Sequence, residues 1–464
     1  MSITSQNQNT ETYRQSIERF QSDVKRIMES DGAPSTPCVF FDLDRLDQQI
    51  QLWRDEMPGI EPHFAIKACD AVGILQHMHY RGISFDAATG GELDLLSRLG
   101  IDGSRIVMTH PIRSEEDLEA IRRCRPLAIV VQSADEVVKL GEAAIPNSSY
   151  SPILLARIAL PYSNLNKFGV QCIVPLVGED GKTTTAFDYR PLKRIFQTAK
   201  SVEEQLSVKF SAFGFAGHVG TNTTSVSHYQ HLLGTFRILG QELKRRSGIN
   251  ISFFDLGGGY CDRMNAANDG MTQRELLIAI NQAVNKFRSD YGRDVTIVAE
   301  PGRFLVADTG VVVTRAKVVA DAHFRAVNGA EVYEKHKVIH LDDGVYGNLM
   351  GQIHDSRRYR PIPFRIGSNE SIAGDLVPCV MWGPTCDSFD RVIPPDDYRI
   401  PDGLSTNDFF MIECMGAYTT VTATEFNRTQ ASKLLLFRRD VDGLEATIYT
   451  PKGEVISRLK LNPI

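Results

Sequence analysis

This chain of 464 residues lacks every feature that would tie it to a membrane, a nucleic acid or a disulfide scaffold. It has no run of 18 apolar residues, so no helical membrane span is expected. Its net charge of -6 supplies no basic excess for nucleic acid or for an anionic lipid surface. The eight cysteines, at positions 38, 69, 124, 172, 261, 379, 386 and 414, include no C-x-x-C pair. That spacing argues against a zinc site or a disulfide framework and fits a reducing compartment. The opening stretch MSITSQNQNTETYRQ has neither the basic start nor the apolar core of a secretory leader, so the cytoplasm is the expected location. A G-x-G-x-x-G turn directly after the first strand, the mark of a dinucleotide-binding open sheet, is missing as well.

What is present is the composition of a soluble globular protein, 42% hydrophobic and 23% charged, in a chain long enough for two domains. Residues 1–10 are polar and expected to be disordered. Ile17, Phe20, Val24, Ile27 and Met28 recur at helical spacing and predict a helix over about 11–30, ended by Asp31-Gly32-Ala33-Pro34. A short strand is expected at 38–41. Strand-like runs then follow at 62–69, 84–89, 105–110, 127–133, 153–160, 210–217, 251–256 and 296–300, with helical patterns between them. Eight such units in roughly 260 residues match a (β/α)8 barrel, with an open doubly wound sheet as the competing architecture. After residue 305 short strands predominate, so a second, mostly β domain is expected. The predicted division is 1–44 (helix and a strand that joins the β domain), 45–305 (barrel) and 306–464 (β domain). Stretches 175–190 and 261–275 look like polar insertions in barrel loops, and 321–332 like one between β-domain strands.

Chemistry in such barrels sits at the C-terminal ends of the strands. Those ends read Lys67, Asp86, His110, Gln132, Arg157, His218, Asp255 and Glu300. Lys67 stands out, because Phe64 to Ala68 would otherwise be a buried strand. An ammonium there is either paired with an acid or used as an amine nucleophile. Gly257-Gly258-Gly259 and Gly302-Arg303 follow the last two strands, where backbone N–H groups and a guanidinium can cradle a phosphate; a plain glycine turn and a surface arginine are the alternative. If that phosphate belongs to pyridoxal phosphate, Lys67 supplies the Schiff-base amine and Glu300 the acid opposite the ring nitrogen. His218 is either a core histidine or a ring-stacking group. In the β domain, Cys386 lies in a Gly/Pro loop beside Asp387 and Asp390, as a surface thiol or a proton donor.

These blocks resemble the pyridoxal-phosphate-dependent fold-type III decarboxylases, the ornithine and diaminopimelate decarboxylase superfamily. HFAIKACD (63–70) resembles its lysine motif. FDAATGGEL (85–93), FGFAGHVGT (213–221), FDLGGG (254–259), AEPGRFLVA (299–307), DDGVYGNL (342–349), WGPTCDSFD (382–390) and MGAYTTVTATEFN (415–427) are similar to its other blocks, in family order. The resemblance implies an alanine-racemase-like barrel with a β domain, and pyridoxal phosphate carried on Lys67. It implies that His218 stacks on the cofactor ring and Glu300 pairs with its nitrogen. Gly257, Gly258, Gly259, Gly302, Arg303, Thr221 and Tyr418 would hold the phosphate. Asp86 and Arg157 would lie behind the cofactor, with Glu92 in the same motif as Asp86.

It further implies a head-to-tail homodimer in which Cys386 and Asp387 serve the partner subunit's site. There Cys386 would return a proton to Cα, and Lys167 and Asp390 would form an interface ion pair. Substrate residues would be Asp355, Asp387, His354 and Tyr346. Where ornithine-type members carry a Tyr-Asp pair, this chain has His354-Asp355; two carboxylates suit the distal ammonium of ornithine or lysine, L or D. Arg357 and Arg358 keep a diaminopimelate-type substrate open. A racemase and a non-catalytic homologue are the remaining alternatives.

Overall fold

The computed structural model describes residues 18–160, 167–177, 183–264, 270–325, 333–368, 371–395 and 397–463. By internal contacts the chain forms two compact units. One comprises Gln48–Asp70 and Leu75–Leu305; the other takes in the chain up to Asp47, Ala71–Ile74 and everything from Val306.

The first unit is a closed barrel of eight parallel strands, taken in chain order: Glu61–Ala65, Ser84–Ala87, Ile106–Met108, Ala128–Val131, Ile153–Arg157, Ala212–Ala216, Phe253–Asp255 and Thr296–Ala299. The eighth closes on the first through Val298↔Glu61 and Ala299↔Pro62. Every expected apolar run overlaps one of these strands, and the barrel prevails over the open sheet. Strands covered on both faces have no polar side to show, hence unbroken runs such as Ala128-Ile129-Val130-Val131, all buried. Val107, Ala128, Val130, Leu155, Ala216, Phe253 and Val298, from six strands, form one apolar cluster.

The connecting helices start where the sequence offers caps. Ser114 and Asp117 make a capping box for Glu115–Cys124, and Thr272 and Glu275 make one for Gln273–Tyr291. The expected insertion at 175–190 is instead ordered at both ends. Ile173–Val177 and Thr183–Phe187 pair as an antiparallel hairpin, and helix Arg190–Leu206 follows directly. Of 261–275, the end belongs to helix Gln273–Tyr291 and 265–269 lie outside the described residues.

The second unit is an eleven-stranded sheet. Strand Cys38–Asp42 lies at its centre, antiparallel to Gly310–Arg325 (Cys38↔Val313) and parallel to Lys433–Asp440 (Cys38↔Lys433). The helix that is described from residue 18 to 28 packs Phe20, Val24, Ile27 and Met28 into a core with Cys38, Phe40, Val311, Val313, Leu435 and Phe437; Ile17 and the start of the predicted helix lie outside the described residues. Arg439 fastens this assembly, reaching Asp23 on the helix at 2.7 Å and Asp42 on the central strand at 2.8 Å. The expected insertion at 321–332 begins as strand, because Gly310–Arg325 runs on and pairs with Tyr333–Leu341; residues 326–332 lie outside the description. Among the described residues no helix is long and apolar enough to cross a membrane.

Candidate active site

The first barrel strand stops at Ala65, two residues short of the lysine. Ile66–Ala68 is a single 3-10 turn, closed by the Cys69 N–H on the Ile66 carbonyl at 3.0 Å. Ile66 and Ala68 are buried, so the turn rolls Lys67 outward with 46% of its side chain exposed. This corrects the expectation of a buried strand through Ala68. The lysine avoids the cost of burial because the chain turns before reaching it. Its ammonium lies 3.7 Å from Asp86 Oδ2, at the end of the second strand. Asp86 is itself held, accepting a hydrogen bond from the Thr109 hydroxyl on Oδ1 at 2.5 Å. Next along the chain Thr89 caps helix Gly90–Arg98, and Glu92, in its first turn, accepts from the Ala88 N–H. Burial, with Asp86 close by, raises the Glu92 carboxyl above its ordinary range.

The last three strands supply the rest. Burial, reinforced by the charges of Arg157 and Lys67, pushes His218 down to about 3, so its imidazole is neutral. Its Nδ1 therefore accepts a hydrogen bond, from the Gly258 N–H at 3.1 Å. Asp255 organises the glycine turn by accepting from the Gly257 N–H at 2.8 Å, and the Gly257 carbonyl in turn accepts from the Glu300 N–H at 2.9 Å. Glycine is required here. At Gly259 (φ +108°) a Cβ would stand 2.5 Å from the Gly220 carbonyl, and at Gly257 (φ +67°) one would stand 2.1 Å from the Gly217 carbonyl. The loop after the eighth strand closes on the lysine turn, since a Cβ at Gly302 would lie 3.0 Å from that of Ala68. Glu300 is 3% exposed and its Oε1 has no hydrogen-bond partner. Burial and the carboxylates of Asp255 and Asp86 raise it well above the ordinary range.

Lys67, Asp86, Glu92, Arg157, His218, Gly257 to Gly259, Glu300 and Gly302 are thus brought together at one end of the barrel. Arg157 is placed there by its electrostatic influence on His218, Asp255 and Glu300. Two expected phosphate ligands behave differently. Thr221 is exposed, whereas Thr223 is buried and donates its N–H to the Gly259 carbonyl at 2.8 Å. Arg303 lies 4.0 Å from Asp262 Oδ2, with both side chains buried, so part of its charge is already balanced. The other strand ends do structural work. Gln132 accepts from the Gly169 N–H at 2.9 Å, and His110 packs edge-on against Phe168.

In the sheet unit Tyr346 donates its hydroxyl to Asp387, which also accepts from the Phe389 N–H at 3.0 Å. These bonds hold the Asp387 carboxyl below its usual range, so it is a carboxylate at neutral pH. Phe426 stacks on the Tyr346 ring at 4.4 Å, and Cys386 is exposed beside the pair. His354 ends the one-turn helix Gly351–His354, its ring 6.3 Å from that of Tyr418, with Asp355 as the next residue. Asp390 is committed inside its own unit. It is 1% exposed and accepts from the Val345 N–H at 2.7 Å and from the Thr385 N–H and hydroxyl at 3.0 and 2.7 Å. Its visible work is to shape the Cys386 loop. Arg358 lies 3.6 Å from Asp397.

Sequence reasoning missed Thr109, Asp262 and the Tyr346–Phe426 stack. It placed Asp255 at a strand end without a task. Only Asp255 gave a signal, as an acid one residue before three consecutive glycines.

An amine beside a buried acid, a neutral histidine on a glycine cradle and a buried carboxyl with an unsatisfied oxygen define a pyridoxal-phosphate site. The donor set fits the group: Lys67 would take its aldehyde, Glu300 Oε1 would face its ring nitrogen, and the Gly257–Gly259 and Gly302 loops would hold its phosphate. The chain belongs to the pyridoxal-dependent decarboxylases. The model of that family's pyridoxal-binding domain matches residues 43–307, and the model of its C-terminal sheet domain matches residues 298–416. An ornithine decarboxylase of Schizosaccharomyces pombe is 26% identical over 93% of this chain and 89% of its own. A lysine/ornithine decarboxylase of Selenomonas ruminantium is 25% identical over 91% and 94%. The crystal structure of a lysine/ornithine decarboxylase of Vibrio vulnificus complexed with cadaverine is 25% identical, with a TM-score of 0.70, over 90% of this chain and 98% of that one.

The protein is a pyridoxal-phosphate-dependent amino-acid decarboxylase. When bound, the cofactor supplies an electron-accepting ring that makes loss of carbon dioxide from the substrate's Cα feasible. The geometry offers candidates to serve it. Lys67 offers the amine, with Asp86 holding its charge. His218 presents a neutral ring fixed by Gly258. Glu300 would set its buried carboxyl opposite the ring nitrogen. The glycine loops offer N–H groups to an anion.

Proposed function

We propose that the substrate is a basic amino acid, ornithine or lysine, decarboxylated to the diamine. The observation that carries this is Asp387, a carboxylate kept ionised by Tyr346 and the Phe389 N–H on the exposed Cys386 loop. A distal ammonium is the natural partner for such a group, and Asp355 adds a second negative charge for it. The relatives support the same substrate class, since they are named for ornithine or lysine and one binds cadaverine. A diaminopimelate-type substrate needs an arginine for its second carboxylate, and Arg358 is already near Asp397. We place the loop's action in a homodimer, Cys386 returning a proton to Cα at the partner subunit's barrel and Asp387 reading the substrate there. The exposed Cys386 thiol and the exposed Phe389 on this loop support that assignment.

Carbon dioxide release should be measured from L- and D-ornithine, lysine, arginine and meso-diaminopimelate, with chiral recovery of substrate to detect racemisation. Release from ornithine or lysine is expected; release from diaminopimelate alone, or racemisation without release, overturns the proposal. Asp387→Asn can keep the Oδ1 acceptor for the Phe389 N–H while removing the charge, and its new amide N–H can donate to the Tyr346 hydroxyl oxygen. It should raise KM for the diamino acid by roughly 10- to 100-fold, the effect of losing about 1.5–3 kcal/mol of charge-assisted bonding. An unchanged KM would show that Asp387 does not read the ammonium.

A further inference from the structure

The bottom of the barrel site holds two acids where the ring nitrogen of the cofactor asks for one. Asp255 and Glu300 end adjacent strands, paired through Asp255↔Val298, and their side chains approach within hydrogen-bonding range. Asp255 is 0% exposed and Glu300 3%. Asp255 spends Oδ1 on the Gly257 N–H, and neither its Oδ2 nor Glu300 Oε1 has a hydrogen-bond partner. Two carboxylates this close and this dry cannot both be ionised, so one proton lies between them.

We propose that Asp255 is a positioning residue for Glu300: it orients the Glu300 carboxyl and holds one proton on the pair, so that Glu300 meets the ring nitrogen of pyridoxal phosphate with that proton between them. The inference rests on the cofactor assignment above and concerns a residue that the expected ligand set left out.

Which acid carries the proton follows from their partners. Asp255 has a backbone N–H to stabilise its anion; Glu300 has none at Oε1. Burial pushes Asp255 up to about 6, and pushes Glu300, facing the Asp255 and Asp86 charges, well above the ordinary carboxylate range. Lys67, on the turn after the first strand, and Arg157, at the end of the fifth, oppose this, and His218, neutral, adds no charge. The buried Tyr260, close enough to feel both charges, is itself held protonated by burial and by them. Glu300 therefore carries the O–H and Asp255 the charge. A pyridine nitrogen held here would take that proton, its new N–H bond replacing the Glu300 O–H bond, which would leave Glu300 as the carboxylate with no proton drawn from solvent. The Asp255 charge raises the proton affinity of the whole arrangement, which keeps the ring nitrogen protonated as the pH rises.

Asp255→Asn tests this, because Asn can retain the Oδ1 acceptor for Gly257 while removing the charge. The readout is the dissociation constant of pyridoxal phosphate and its bound absorbance between pH 6 and 9.5. The variant should match wild type near pH 6 and bind at least about tenfold more weakly at the alkaline end, one unit or more of lost proton affinity. Equal weakening at every pH would mean a purely structural role and overturns the proposal, as does an unchanged profile. If the variant does not fold, infrared difference spectra of the wild-type protein decide. Adding pyridoxal phosphate should bleach a protonated-carboxyl band, and no bleaching overturns the proposal. Wild-type protein that takes up no pyridoxal phosphate would instead sink the cofactor assignment.

Discussion

Lys67→Ala should lose turnover by on the order of 10⁴-fold or more, the scale on which removing a covalent catalyst falls. It should do so with little change in folding. The side chain is half exposed, and Asp86, 3.7 Å from its ammonium, remains hydrogen-bonded by Thr109. Loss of this pair, solvated on the lysine side, costs on the order of 1 kcal/mol. The turn itself is carried by the buried Ile66 and Ala68, which the substitution leaves in place. Activity and stability therefore separate at this residue. Borohydride reduction of the wild-type holoenzyme, followed by peptide mapping, should place the pyridoxyl group on Lys67. The variant should bind the cofactor without forming a reducible bond. Label on another lysine, or a variant retaining more than about a hundredth of wild-type turnover, would contradict the role.

How much of this was legible in the sequence depends on the range of the interaction involved. The barrel was legible because doubly covered strands must be continuously apolar, and such runs recur eight times between helical patterns. The lysine's exposure was not. Whether a strand ends at Ala65 or Ala68 is decided by the turn that buries Ile66 and Ala68, and local pattern is the same either way. In the sheet unit the strands missed were Ile362–Phe364, Leu376–Trp382, Arg391–Ile393, Arg399–Pro401 and Val455–Leu461. Three are three residues long, and Leu376–Trp382 carries Pro378, a residue that argues against a strand. Val455–Leu461 is an edge strand with little burial to pattern its sequence. Among site residues, those with a chemistry written in their type, Lys67, Glu300 and the glycines, were found. Those defined by a partner far along the chain were not: Thr109 against Asp86, Asp262 against Arg303, and Asp255 against Glu300.

Glu300→Gln should separate fold from function in the opposite direction, making the cofactor-free protein more stable while slowing the reaction. Burial holds the Glu300 carboxyl well above its ordinary value, so at neutral pH the folded chain keeps a proton that the unfolded chain has released. A folded state that binds the extra proton loses stability as pH rises above the ordinary carboxylate range, at about 1.4 kcal/mol per pH unit for a full proton of difference. Glutamine has nothing to titrate, and its amide can donate to Asp255. Denaturant unfolding of the cofactor-free proteins should therefore coincide near pH 4.5 and diverge in favour of the variant toward pH 8. Over the same range, turnover of the reconstituted variant should fall by on the order of 10²–10⁴-fold, since an amide cannot keep a proton on the ring nitrogen. Equal stability at both pH values would show that Glu300 is ionised in the empty site. Undiminished turnover would remove it from the chemistry. An acid that weakens the fold at working pH, at the base of the one barrel end that gathers Lys67 and His218, is retained for what it does to the bound group.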